Sequence, residues 1–200
     1  MSDDWNDYAD GWDGNSDVRL YADRAFAALD GSAGITGGGW QDKRVLDFGC
    51  GTGLLSEKLA PHVREVVAAD TSERMIAVLQ EKALPKVRAL CTDILDGGAR
   101  EAAGMLGGFD MICASSVCSF LPDYRGAAEV LAGLLNNGGV FVQWDWLAAD
   151  AGGSGLTEPQ VREALRAAGL EAVRVERVFE MESGGQAMPV LMGSGTRAAE

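Results

Sequence analysis

From Lys43 onward, short apolar runs and helically spaced stretches alternate, and this constrains the fold more than any other feature of the chain. Val45-Leu46-Asp47-Phe48 reads as a strand, closed by Gly49-Cys50-Gly51-Thr52-Gly53. Leu54 to Val63 has helical spacing. Glu65 to Ala69 is a second strand ending at Asp70, and Ser72 is placed to cap a helix carrying Met75, Ile76 and Leu79. Lys86 to Leu90 predicts a third strand, followed by Cys91-Thr92-Asp93 and a helix over 99–106. Phe109 to Ala114 is a fourth strand. Asp123 opens a helix striped by Tyr124, Ala128, Leu131 and Leu135 and stopped by Asn136-Asn137-Gly138-Gly139, before a fifth strand over Val140 to Trp146. Thr157-Glu158-Pro159-Gln160 is a capping box with an early proline, and its helix runs through Val161, Leu165 and Ala168. Runs at 170–179 and 188–192 flank Ser183-Gly184-Gly185 and read as an antiparallel hairpin. Strand–helix alternation implies parallel strands joined by right-handed crossovers. Continuous apolar strands imply a sheet covered on both faces. The expected fold class is α/β, an open and mostly parallel sheet with helices on both faces.

One domain over 1–200 is expected, with a cap and helix at 1–40 and a core at 41–195. The cap is acidic and aromatic: six Asp, no base in the first 17 residues, and Trp5, Tyr8 and Trp12 interleaved. Behind a Ser16 or Asp17 cap, Val18, Ala22, Ala25 and Leu29 share a helix face. The 200 residues carry 17 Lys+Arg against 30 Asp+Glu, a net charge of −13. That balance argues against nucleic acid, whose phosphates need cations, and against an anionic membrane surface. No apolar run approaches ~18 residues, so no membrane span is expected. The first residues lack the basic and apolar regions of a signal peptide. Cys50, Cys91, Cys113 and Cys118 show no CxxC spacing. They read as buried reduced thiols, with no metal site and a cytoplasmic location.

Ligands of open α/β sheets bind beyond the carboxyl ends of the strands. The glycines of the first loop allow a tight turn and close approach of a ligand, at a helix N-terminus. The dinucleotide fingerprint fails, because its third glycine would stand at Leu54. A phosphate P-loop fails for want of Gly-Lys-Ser/Thr. Asp47, Asp70 and Asp93 are three carboxylates at successive strand ends. Asp70 suits a ribose diol, Asp93 an exocyclic amine, and Met75 and Ile94 the faces of a flat base. Such a crevice repels a pyrophosphate and suits an adenosine that carries a cation.

These segments resemble the motifs of class I S-adenosylmethionine-dependent methyltransferases. Val45 to Gly53 resembles their first motif, Ala69 to Met75 the second and Thr92-Asp93-Ile94 the third. Phe109 to Ile112 with Ser119 to Asp123, and then Leu134 to Gly139, resemble the later ones. The resemblance spans roughly residues 40–195. It implies a seven-stranded sheet with an antiparallel last strand, and S-adenosylmethionine as cofactor. It also implies that Gly49, Gly51 and Gly53 lie against the methionine part, with Asp47 placing the ammonium. Asp70 would hold the ribose and Asp93 the adenine amine; Thr71, Met75 and Ile94 would border the adenosine, and Ser115 the amino-acid tail. Many small-molecule relatives carry His where Ser119 stands, so no role follows from that imidazole. His62 reads as a helix-end surface residue.

On the substrate side, Asp145 and Trp146 leave the fifth strand, and Tyr8 and Trp12 are candidates for a lid. No catalytic residue is assigned; a hydroxyl acceptor would need a base, for which Asp145 and Tyr8 are the candidates. The expected function is methyl transfer to a small molecule by a monomer or homodimer. Two alternatives stand beside it. One is a nicotinamide-dependent oxidoreductase, disfavoured by Leu54. The other is a non-catalytic module that binds S-adenosylmethionine.

Overall fold

The computed structural model describes residues 5–150, 153–183 and 185–199. The chain divides into two compact units, Met1–Leu106 and Gly107–Glu200.

In the first unit, β1 (Arg44–Phe48), β2 (Glu65–Asp70) and β3 (Val87–Cys91) are parallel in the order β3-β2-β1. Val45, Leu46, Val66, Val67 and Ala68 are fully buried, as strands covered on both faces require. Four helices accompany them: α1 (Ser16–Ala33), α2 (Leu54–Leu59), α3 (Glu73–Glu81) and α4 (Gly97–Ala102). α1 buries Tyr21, Ala22, Ala25 and Leu29, one stripe at helical spacing. Its cap is Asn15, not Ser16 or Asp17: the Asn15 side chain accepts from the Asp17 N–H. Gly34 ends the helix in the left-handed region, where its N–H reaches the Asp30 carbonyl. Ser72 caps α3 as expected, accepting from the Met75 N–H. α2 stops at Leu59, short of the expected Val63, and α4 runs over 97–102 rather than 99–106. The cause at α4 is Asp96, whose side chain takes the Ala99 N–H and starts the helix on two glycines.

In the second unit, β4 (Phe109–Ser115) pairs in parallel with β5 (Leu135–Trp146). β7 (Gln186–Arg197) is antiparallel to β5 on one side and to β6 (Leu170–Ser183) on the other. The order is therefore β4-β5-β7-β6. The hairpin strands are longer than expected, and Gly184 of their turn lies outside the described residues. α5 (Tyr124–Leu134) is capped by Asp123, and α6 (Glu158–Ala167) by the Thr157–Gln160 capping box. α5 passes directly into β5 at Leu135, so residues 136–139 are strand rather than a separate stop. Leu135 pairs with Phe109, and a Cβ on Gly139 would stand 2.8 Å from the Asn136 carbonyl oxygen. The start of β5 is thus a tight corner that glycine permits.

The cysteines are all free. Cys113 and Cys118 are buried as expected, whereas Cys50 is half-buried and Cys91 is exposed at the end of the edge strand β3. His62 follows α2 and stacks on Phe26, with ring centroids 5.9 Å apart.

Candidate functional site

β1 delivers the chain into a loop in which Gly49, Gly51 and Gly53 have φ of 66°, 54° and 82°. Only glycine adopts this region without strain, and here three alternate residues require it. The Gly49 and Cys50 N–H groups both donate to the Ala69 carbonyl, which ties the loop to the end of β2. Asp70 completes the tie: one carboxylate oxygen accepts from the Gly51 N–H at 2.8 Å, the other from the Ser72 N–H at 2.9 Å. A single carboxylate therefore sets both the glycine loop and the entry to α3. Each of its oxygens keeps a lone pair for a further donor.

Asp47 is 1% exposed and accepts from the Ser56 hydroxyl at 2.6 Å, which joins β1 to the first turn of α2. Burial, and secondarily the Asp70 charge, pushes its carboxyl up to about 7, against the Ser56 hydrogen bond. Burial and the same two carboxylates also push the Cys50 thiol up, so the loop sulfur stays protonated.

Asp93 is exposed beyond the end of β3, where one oxygen accepts from the Leu95 N–H at 2.9 Å. Thr71 is exposed, whereas Met75 and Ile94 are almost wholly buried. Met75 lies under the loop: a Cβ on Gly51 would stand 3.9 Å from its sulfur. The first unit thus brings together the glycine loop, Asp70 and Met75.

Residues 5–14 bind this same region. The Asn6 side-chain oxygen accepts from the Ser72 hydroxyl and the Arg74 N–H, and Asp10 pairs with the Arg74 guanidinium at 2.7 Å. Asp13 accepts from the buried Thr52 hydroxyl at 2.5 Å and lies 2.6 Å from the Lys82 ammonium. Trp5 packs on Tyr8 and edge-on against Trp12. Tyr8 stays half-exposed. The contacts of Asn6, Asp10 and Asp13, across 39 to 69 residues of chain, have no local signature in the sequence. Ser56 had one: a polar residue beside the Leu55 and Leu59 positions of a buried helix face.

In the second unit, Ser115 ends β4, half-buried. Ser116 follows with φ of 55°, and its N–H donates to the Trp144 carbonyl at 2.7 Å. Trp144 and Asp145 are fully buried, and Trp146 half-buried. Asp145 accepts from the Ser119 N–H at 2.9 Å and from the Gln143 side-chain amide at 2.9 Å. Gln143 in turn accepts from the Tyr124 hydroxyl at 2.6 Å. Burial pushes the Asp145 carboxyl up to about 7, although the Ser119 and Gln143 bonds favour its charge. Gln143 and Tyr124 were not anticipated; their signal was the alternation that puts residues 143 and 145 on one strand face. Among the described residues, no cluster of His, Cys, Asp or Glu is arranged to hold a metal ion.

Residues 46–141 match the family model of the methyltransferase domain. An uncharacterised methyltransferase of Schizosaccharomyces pombe is 36% identical over 107 residues, covering 49% of this chain and 37% of the relative. A ubiquinone biosynthesis O-methyltransferase of Aromatoleum aromaticum is 32% identical over 112 residues, covering 56% of this chain and 45% of the relative. The chain spans less than half the length of these curated relatives. The N-methyltransferase NodS of Bradyrhizobium japonicum, solved with S-adenosylhomocysteine, superposes with a TM-score of 0.68 at 21% identity, over 98% of this chain and 99% of that one. That likeness shows the fold, a seven-stranded and mostly parallel sheet with antiparallel last strands and flanking helices. Residues 46–141 thus match a methyltransferase domain, and the chain has the seven-stranded, Rossmann-like fold of the N-methyltransferase NodS.

Proposed function

We propose that this chain transfers the methyl group of S-adenosylmethionine to a small-molecule acceptor. The observation that carries the reading is the glycine loop braced on Asp70, with lone pairs of that carboxylate still available. The donor set fits the cofactor. A ribose diol offers the two further O–H donors that Asp70 has room for. Asp93 has an oxygen to offer the adenine amine, Met75 and Ile94 form an apolar floor, and Thr71 and Ser115 border the ligand. The loop of Gly49, Gly51 and Gly53 offers its backbone to the methionine part, with room at Gly51, while the bare face of Gly53 packs on Leu79. Asp47 is too deeply buried for broad contact, so it acts on the ammonium as a nearby negative charge or through one water.

Bound S-adenosylmethionine supplies an electrophilic methyl on a sulfonium, which is its own leaving group. The chain has to align the acceptor with that methyl and exclude water. Tyr8 and Trp12, on the segment pinned to Ser72, Arg74 and Thr52, are suited to the second task. Trp146 is a candidate wall for the acceptor. Asp145 is ill-suited to act as a general base, because it is 0% exposed, closed off from an acceptor's proton. Relatives that methylate oxygen and nitrogen both occur, and the proposal is for the reaction class. It includes one domain over the whole chain, acting as a monomer or homodimer in the cytoplasm and without nucleic acid. The net charge of −13 and the four free cysteines support those parts. No helix among the described residues is long and apolar enough to cross a membrane.

Calorimetry with S-adenosylmethionine, S-adenosylhomocysteine and NAD, followed by labelled methyl transfer to the small-molecule fraction of a cell extract, tests the reading. Saturable binding of the first two and transfer of label are expected. Binding of NAD alone would overturn the proposal. Cofactor binding without transfer would favour the non-catalytic module. Asp70→Ala is expected to weaken S-adenosylhomocysteine binding at least tenfold, since it removes the ribose acceptor and frees the Gly51 N–H. Asp70→Asn, which keeps one acceptor oxygen, should fall between the two. An unchanged dissociation constant for Asp70→Ala would remove Asp70 from the site.

A further inference from the structure

The second unit contains a buried polar chain that the alignment of cofactor and acceptor does not by itself call for. Gln143 and Asp145 project from one face of β5 and are 1% and 0% exposed. Among the described residues the partners of this carboxylate are neutral: the Ser119 N–H and hydroxyl and the Gln143 amide. A buried carboxylate held only by neutral donors is costly, so each of those bonds matters. Their direction is fixed by chemistry. An ionised Asp145 accepts only, so Gln143 must turn its NH2 toward it and its oxygen toward Tyr124, which must then donate. The chain therefore runs Tyr124 to Gln143 to Asp145 to Ser119. It ties the first turn of α5 to the turn over Cys118–Phe120 that follows β4. That turn lies at the carboxyl end of β4, the end where ligands of such sheets bind. Ser116, at its start, already sits in the left-handed region and is held by the Trp144 carbonyl.

We propose that Asp145 is a positioning residue for the methyl acceptor: through the Ser119 N–H it holds residues 117–122 in place, with Gln143 and Tyr124 fixing its orientation. The proposal rests on the methyltransferase reading above. Protonating Asp145 removes a charged acceptor from Ser119 and loosens the turn. The polar or titratable groups found around this carboxyl are Ser119 and Cys118 on the turn, Tyr124 on α5 and Gln143 on β5. Burial pushes the Cys118 thiol and the Tyr124 hydroxyl up, so both stay neutral through the physiological range and Asp145 is the group that changes.

The test uses the full chain with labelled S-adenosylmethionine and the small-molecule fraction of a cell extract. Transfer is followed from pH 5.5 to 8.5 for the wild type, Asp145→Asn and Tyr124→Phe. In parallel, the Ser119 amide resonance is followed by NMR over the same range. Wild-type transfer should rise with an inflection near 7, and the Ser119 amide should titrate with it. Asp145→Asn should bind S-adenosylhomocysteine within about twofold of the wild type. It should transfer at least tenfold more slowly, with no inflection and a pH-independent Ser119 amide. Tyr124→Phe keeps the ring and loses the donor that orients Gln143. Its inflection should move to higher pH, and this arm decides the matter if Asp145→Asn does not fold. A wild-type rate and pH profile in Asp145→Asn, or an unmoved inflection in Tyr124→Phe, would overturn the proposal. Absence of transfer by the wild type, with a normal Ser119 titration, would instead overturn the methyltransferase reading on which it rests.

Discussion

Asp47→Asn is expected to make the protein more stable at pH 8 and a poorer ligand for S-adenosylmethionine. The stability half follows from linkage. A carboxyl pushed from its ordinary 3.8 up to about 7 keeps its proton in the folded chain while the unfolded chain loses it. Between pH 4 and 7 the native state therefore binds more protons than the unfolded state, and stability falls as pH rises through that window. Above pH 7 the whole penalty is present, on the order of 4 kcal/mol. Asn is the same size and neutral, and its oxygen can still accept from the Ser56 hydroxyl. Urea unfolding should show Asp47→Asn ahead of the wild type by roughly 2–4 kcal/mol at pH 8, with the gap closing near pH 4. A gap independent of pH would mean that the Asp47 charge is not what the fold is opposing. The binding half follows from the proposed site. A buried charge that lowers stability fits a place beside a cation, whose field draws the proton off the carboxyl. Wild-type affinity for S-adenosylmethionine should therefore rise from pH 6 to pH 8, and the affinity of Asp47→Asn should be lower and flat.

The parts of this site that the sequence displayed are those built from neighbours along the chain. A strand followed by glycines at alternate positions is visible because the apolar run and the turn chemistry are contiguous. The Ser72, Asp123 and Thr157 caps are visible for the same reason. Local reading falters where adjacent residues compete for one role. Asn15, Ser16 and Asp17 are all good caps, and only the backbone at Asn15 is extended enough to serve. At Gly97-Gly98 helix propensity argues for a later start, but the Asp96 cap outweighs it. What the sequence could not display is pairing across distance. Asp13 with Thr52, Asn6 with Ser72 and Tyr124 with Gln143 are brought together by the fold and obey no period. Cys91 illustrates the converse: it reads as a buried thiol just after the third strand, yet it is exposed because β3 is an edge strand.

Gly53→Ala and Gly51→Ala are expected to separate stability from binding within one loop. Both glycines have positive φ, so alanine at either costs about 1–2 kcal/mol of backbone strain. Their surroundings differ. A Cβ on Gly53 would stand 2.4 Å from Cδ1 of Leu79, and Leu79 is itself 2% exposed in the core of α3. Something must move, and overpacking of this kind adds about 1–3 kcal/mol. A Cβ on Gly51 meets only the Met75 sulfur, at 3.9 Å, an ordinary contact. Gly53→Ala should therefore lose roughly 2–5 kcal/mol in urea unfolding, and Gly51→Ala about half of that or less. Leu79→Ala is costly alone, because it opens a cavity. In the Gly53→Ala background it removes the clash, so the double variant should be more stable than the sum of the two single losses implies. Simple additivity would show that the loop moves away from α3 instead of pressing on Leu79. In the proposed site Gly51 faces the cofactor, and its N–H is the one that Asp70 holds. Gly51→Ala should accordingly weaken S-adenosylhomocysteine binding by more than its small loss of stability, whereas Gly53→Ala, at a temperature where it is folded, should bind more nearly like the wild type. The opposite ranking in calorimetry would place the cofactor on the α3 side of the loop.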